Sequence, residues 1–428
     1  GVIEQVAGGI GNVEHNSILV RYSNDFSIWD LESVNHYKDQ TDIFFTCHEF
    51  SYNKIAEAYE PYLGLIRQMF HKYCSGTLEE FMEECDVYKL QRPVFESYFE
   101  KGFCERTEQI LIDEVEYEQE RMHSSIVTML QKLSEICPIV IVLNRFQLAS
   151  KSTMQLTNRL LQTKNKNIGI VLGVNDVQSI PEFAHEEWDA ICESMDDRNM
   201  VYHIGNAGRN MEPDVMDYYS DYESDDGYRK LNNLVYFLDF DQANHHLSKI
   251  ERRIKFDNFT ISEKKHYQLL LLQIMVSVLQ RDIAKALESC EDLEKLQDQE
   301  KEGAFYYNFW MATSYMYLGK LEEAMIYVQK AKECGEALGD DFLVFRAELL
   351  KAQNQMSGWC NIFFCAQDIE ISDKLIEKLN AYHYKNHLAH IYIYAYDNKP
   401  EIVAKAYRSE AFLIYFSKGV ALAKEIGN

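Results

Sequence analysis

Ile139-Val140-Ile141-Val142-Leu143, ending at Asn144-Arg145, is the run whose reading decides the fold of this chain. It is unbroken, apolar and mostly β-branched, as suits a strand covered on both faces of a parallel sheet; a half-exposed strand would alternate. Pro138 precedes it and stops the helix predicted over Ser124 to Ile136. After it, a helix opened by Ser and Thr residues presents Leu156, Leu160 and Leu161 on one face. A second apolar run, Ile168 to Leu172, then closes at Gly173 and Asn175-Asp176. Two buried strands joined by a helix form a parallel crossover, and ligands of open α/β sheets bind at the carboxyl ends of the strands. Asn144, Arg145, Asn175 and Asp176 are therefore the first candidate site residues.

Working outward, Ile43 to Cys47 is predicted as a second strand and Val201 to Ile204 as a last one. Val2 to Ala7 is predicted as a short strand leading into Gly8-Gly9-Ile10-Gly11, with a helix opening near Asn16-Ser17. Strand, glycine-rich turn and helix in that order are the geometry of a phosphate-cradling loop, in which backbone N–H groups face an anion. Laid on the pattern G-x-x-G-x-G-K-[ST], the chain keeps Gly8 and Gly11 and has Val13, Glu14 and His15 where the third glycine, the lysine and the hydroxyl would stand.

At 428 residues the chain is too long for one core, so two or three domains are expected. The first is placed at residues 1–211. Residues 212–228 hold seven acids, no lysine or arginine and four tyrosines, and are predicted as an acidic linker. A net charge of −25 argues against binding a phosphate backbone, because that affinity comes from clustered Lys and Arg. No apolar run approaches membrane-spanning length and no signal peptide is evident, which predicts a cytoplasmic protein without membrane contact. The ten cysteines have no metal-site spacing, and His15, His48, His71 and His123 suggest no ligand set or triad, so neither metal nor catalytic residues are assigned. The acids from Glu114 to Glu120 are read as a solvated helix face.

From residue 229 to 428 helical periodicity takes over. Asn308, Met311, Ala312 and Tyr315 fall on one predicted helix, Gly319 turns the chain, and Ala324, Val328 and Ala331 fall on the next. That spacing resembles a tetratricopeptide repeat, in which small residues let paired helices approach. A weaker copy has Ile274, Ser277, Ala286 and Cys290, with Arg281-Asp282 at its turn. The last helix, Ala411 to Ile426, ends without a polar cap, which predicts a truncated array and a longer parent protein.

Taken in order, Gly8-x-x-Gly11, the strand followed by Tyr59-Glu60-Pro61-Tyr62, the strand Ile139 to Leu143 and the run Ile168 to Asp176 resemble the signal-transduction ATPases with numerous domains (STAND), a group of P-loop proteins. The resemblance implies an α/β P-loop-like domain with a parallel sheet, followed by an all-α repeat domain that binds a protein or peptide. In bacterial regulators of this kind an output domain also belongs to the chain. In the family a lysine neutralises the β and γ phosphates, a hydroxyl holds Mg²⁺ and an acid at the end of the central strand completes the metal site. Here those places carry Glu14, His15 and Arg145. A carboxylate about 4 Å from a phosphate would cost roughly 4 kcal/mol where a lysine would gain as much. The expected vestigial nucleotide pocket, Gly8, Gly11, Glu14, His15, Asn144, Arg145 and Asp176, thus holds no resident cofactor and does not hydrolyse ATP, with ATP or ADP binding or a Glu14–Arg145 ion pair as the two readings of what remains. The alternative is a working ATPase switch whose ligands are non-standard, Ser17 or Asp176 among them. Oligomeric state and partner identity have no signature in the sequence.

Overall fold

The computed structural model describes residues 2–12, 16–22, 42–51, 54–106, 108–175, 180–197, 200–204, 221–222, 224–256, 259–357, 373–397 and 410–427. The chain forms two compact units. The first comprises residues 1–105 and 116–246, the second residues 106–115 and 247–428. The boundary therefore falls beyond the acidic stretch, and a ten-residue piece of the front half is counted with the back half. Of residues 212–228, those up to 220 lie outside the described residues. Tyr222 is buried, its hydroxyl 3.2 Å from His246 Nδ1, and Ser224 caps a helix from Asp225.

The first unit is built on a five-stranded sheet of order β2-β3-β4-β1-β5, every neighbouring pair parallel. The strands are β1 (Ser17–Tyr22), β2 (Phe44–Glu49), β3 (Ile139–Asn144), β4 (Ile168–Asn175) and β5 (Val201–Ile204). All six residues of β3 are buried, as its unbroken apolar run requires. The first predicted strand and the helix after it are exchanged. Val2–Gly9 is a helix, α1, and Ser17–Tyr22 is strand β1. Val6 of α1 is fully buried and packs with Ile18, Val20, Val140, Val142 and Val171, while Ile10, four residues on, packs against the same cluster. That four-residue spacing makes one helical face. The partner surface includes Gly169 of β4, where a Cβ would lie 2.7 Å from Val6 Cγ1.

Between β2 and β3 the chain makes α2 (Tyr62–Tyr73), α3 (Leu78–Glu84), α4 (Arg92–Lys101) and α5 (Val115–Ile136). Thr77 and Glu80 form a reciprocal capping box at the start of α3. The crossover from β3 to β4 is α6 (Lys151–Thr163), capped by Ser150, whose hydroxyl accepts from Thr153 N–H; α7 (His185–Asp197) links β4 to β5. α8 (Asp225–Tyr236) and the start of α9 (Phe240–Phe256) complete the unit. The acids of 114–120 are not one solvated face: Glu118 is fully buried and Glu120 pairs with Arg159.

The second unit is helical. α10 (Glu263–Leu279) and α11 (Ile283–Glu294), then α12 (Gly303–Tyr317) and α13 (Leu321–Leu338), form successive hairpins, followed by α14 (Asp341–Ser357), α15 (Asp373–Ala381), α16 (Lys385–Asp397) and α17 (Glu410–Ile426). Ala286, Cys290, Ala312, Ala324, Val328 and Ala331 are buried in one core with Tyr267, Ile274, Phe305 and Phe309. Small side chains at these seams allow close helix approach and the aromatics fill the space between layers. Gly319 turns at φ 72° and Arg281 at φ 62°, the two turns located by the repeat spacing. Among the described residues no helix is long and apolar enough to cross a membrane.

Candidate functional site

In the order β2-β3-β4-β1-β5 the chain leaves β1 for the far edge of the sheet, while from β4 it steps over β1 to β5. Connections diverging from two adjacent strands open a crevice at their carboxyl ends, the usual ligand position in such sheets. The crevice here lies between the ends of β1 and β4, beside the end of β3.

Four buried or half-buried groups line that end. Tyr22, the last residue of β1, donates its hydroxyl hydrogen to Asn144 Oδ1 at 2.9 Å, so its side chain reaches past β4 to the end of β3. Asn175 N–H at the end of β4 donates to Gln147 Oε1 at 3.2 Å. Arg145 turns the chain in the left-handed region, φ 54° and ψ 42°, and its Nη1 lies 3.3 Å from Glu49 Oε1 at the end of β2. Phe146 is buried against Phe50 and Trp188.

The sequence-predicted residues divide between the two ends of the sheet. Asn144, Arg145 and Asn175 lie at the carboxyl end, each with a different partner. Gly8 lies in α1, and Gly11 donates its N–H to Lys166 O at 2.8 Å, just ahead of the amino end of β4. Asn16 fixes the same end, its amide donating to Asn165 O and Ile168 O. Gly8 and Gly11 therefore form no phosphate loop with Arg145. The reason is the exchange of the first two elements: the strand follows these glycines instead of preceding them. Glu14, His15 and Asp176 lie outside the described residues. Arg145 has Glu49 as an ion-pair partner. Ser17, offered as an alternative Mg²⁺ ligand, is buried at the amino end of β1, its hydroxyl 3.3 Å from Asn16 Oδ1.

A second polar cluster, missed in the sequence, follows β2. Glu57 is buried and ion-paired with Arg229, and Tyr98 donates to its Oε2 at 3.3 Å. Burial raises the Glu57 pKa, against the lowering pull of Arg229. Burial likewise raises Glu60, whose Oε2 accepts from Glu57 N–H at 3.1 Å and whose Oε1 lies 3.4 Å from His48 Nε2. His48 is pushed down to about 4 by burial and is neutral at physiological pH. Ser150 donates to Glu57 O, Ser152 Oγ accepts from Tyr59 N–H, and Ser152 N–H donates to Asp239 Oδ2, which ties the turn before α2 to the start of α6. The acids and their cation stand far apart in sequence, so only Tyr59-Glu60-Pro61-Tyr62 gave a signal there. The arrangement supplies buried acids already satisfied by a cation and by hydroxyl and amide donors, a structural brace for the loop beyond β2.

Compared with protein families, with curated proteins and with solved structures, the chain matches none.

Proposed function

We propose that this chain is a noncatalytic regulatory module: a degenerate P-loop-like domain of STAND type joined to a protein-binding array of tetratricopeptide type, working in the cytoplasm as part of a larger signalling protein. The observation that carries the reading is the carboxyl end of β3. Where the acid that would complete a metal site would stand is Arg145, ion-paired with Glu49, and the residue before it is Asn144, held by Tyr22. Phosphoryl transfer depends on placing metal and cations around the phosphates. A neutral amide followed by a neutralised guanidinium supplies neither. The interior position of β1, between β4 and β5, is compatible with a P-loop arrangement. The paired helices with alanine seams, turning at Arg281 and Gly319, support the repeat assignment.

The test is a titration of the full chain with ATP and with ADP, in Mg²⁺ and in excess chelator. The proposal expects any affinity to be the same in both conditions. Binding at least tenfold tighter with Mg²⁺ would favour a working switch with ligands of its own.

A further inference from the structure

Residues 106–115, between α4 and α5, read as a peptide held by the helical array. Glu108, Ile110 and Ile112 are buried while Gln109 and Leu111 are only half-buried, and Ile112–Glu114 form a 3₁₀ turn that leads into α5. Leu111 is extended, φ −81° and ψ 127°. Ile112 belongs to the same buried core as Tyr267, Ile274, Phe309 and Ala312.

The acids of the segment are each received. Glu108 Oε1 accepts from His387 N–H at 2.8 Å, at the N-terminus of α16, and lies 2.7 Å from His387 Nδ1. Glu114 meets Asn386 Nδ2 and, at 2.7 Å, His390 Nε2. Asp113 Oδ1 accepts from Arg281 at 2.9 Å. A helix N-terminus, an amide, two imidazoles and a guanidinium thus surround three carboxylates and one aliphatic anchor, a charge-assisted set suited to carboxylates. The fit is incomplete at its centre. Glu108 Oε2 and His387 Nε2 are both buried and make no hydrogen bond, a cost in free energy that weakens the hold on the resident segment.

We propose that this face of the array is a binding site for an acidic peptide with the spacing Glu-x-x-x-Ile-Asp-Glu, and that residues 106–115 occupy it in cis as a resident competitor. The inference rests on reading the array as a protein-binding surface. A resident tethered at both ends acts at an effective concentration on the order of millimolar, so micromolar free peptide displaces it poorly.

The test is fluorescence anisotropy of the full chain with a labelled synthetic peptide spanning residues 106–117. Glu108→Gln, Asp113→Asn and Glu114→Gln together should loosen the resident and raise affinity for the wild-type peptide at least tenfold over the wild-type chain. Adding His387→Ala and His390→Ala should remove that gain. Should the triple variant fail to fold by circular dichroism, Glu114→Gln alone should still raise affinity about threefold. Unchanged affinity in the folded variants would overturn the proposal, as would dimers formed by exchanging the segment between two copies. Binding of a charge-reversed control peptide instead would sink this inference and leave a protein-binding array standing; binding of neither peptide would count against both.

Discussion

Around the end of β3 the first unit buries Asn144, Gln147, Ser150, Ser152 and Thr153, whereas the seam of α12 and α13 in the second unit is Ala312, Ala324, Val328 and Ala331. Where the sheet's strands end, backbone groups and loops must be satisfied by side chains, and the buried polar groups collect there. Paired helices satisfy their own backbones, so their seams can be purely apolar and are decided by size. In the second unit two acids of residues 106–115, Glu108 and Glu114, are buried or half-buried. A polar cluster in a sheet of this kind is therefore expected as scaffolding, while one in a helical array asks for another explanation.

The sharpest way to break that contrast is to unbalance the brace behind β2. Arg229→Ala leaves Glu57 buried without its cation, which should cost about 3–5 kcal/mol in the unfolding of the first unit. A loss below about 1 kcal/mol in urea titration would mean that the cluster is not structural. Asp239 gives the next effect. It is buried, and that burial raises its pKa to about 6 from an ordinary 3.8. A group bound more tightly to its proton in the folded state contributes stability below pH 3.8 that is lost as pH rises through about 6. That difference amounts to about 3 kcal/mol. Relative to Asp239→Asn, the parent chain should weaken by this order from pH 4 to pH 7, read from melting curves; parallel curves would contradict it.

Smaller effects sharpen the account of the sheet itself. Gly169→Ala would press a Cβ against Val6 of α1 and the Asn16 carbonyl, 2.7 and 3.0 Å away. The expected cost is about 1–3 kcal/mol, and Val6→Ala should relieve part of it if α1 packs on β4 as described. Tyr22→Phe removes the hydrogen bond to Asn144 and should cost about 1 kcal/mol, measured by the same titration.

How much was legible followed the physics of each segment. β3 and β4 were readable because two-sided burial writes an uninterrupted apolar run, and the α12–α13 hairpin because helix seams repeat small residues at fixed spacing. The start of the chain was misread. Val2–Gly9 is short and rich in Val and Ile, and Ser17–Tyr22 is a short apolar run, two cases in which periodicity alone cannot separate helix from strand. That error put Gly8 and Gly11 of the expected pocket at the wrong end of the sheet. Glu114 was read with the acids up to Glu120 as part of a solvated helix face, and nothing in the sequence marked Glu108, Ile110 and Ile112 as a buried segment ahead of α5. The Glu57–Arg229 pair spans more of the chain than any local pattern covers.

The central proposal is that the five-stranded parallel sheet of the first unit is a P-loop-like scaffold that does not transfer a phosphoryl group. Phosphate release from ATP by the full chain, with and without Mg²⁺, tests it most directly. The account predicts release no faster than in protein-free buffer under both conditions. Mg²⁺-dependent release that disappears in Asp176→Ala would contradict it.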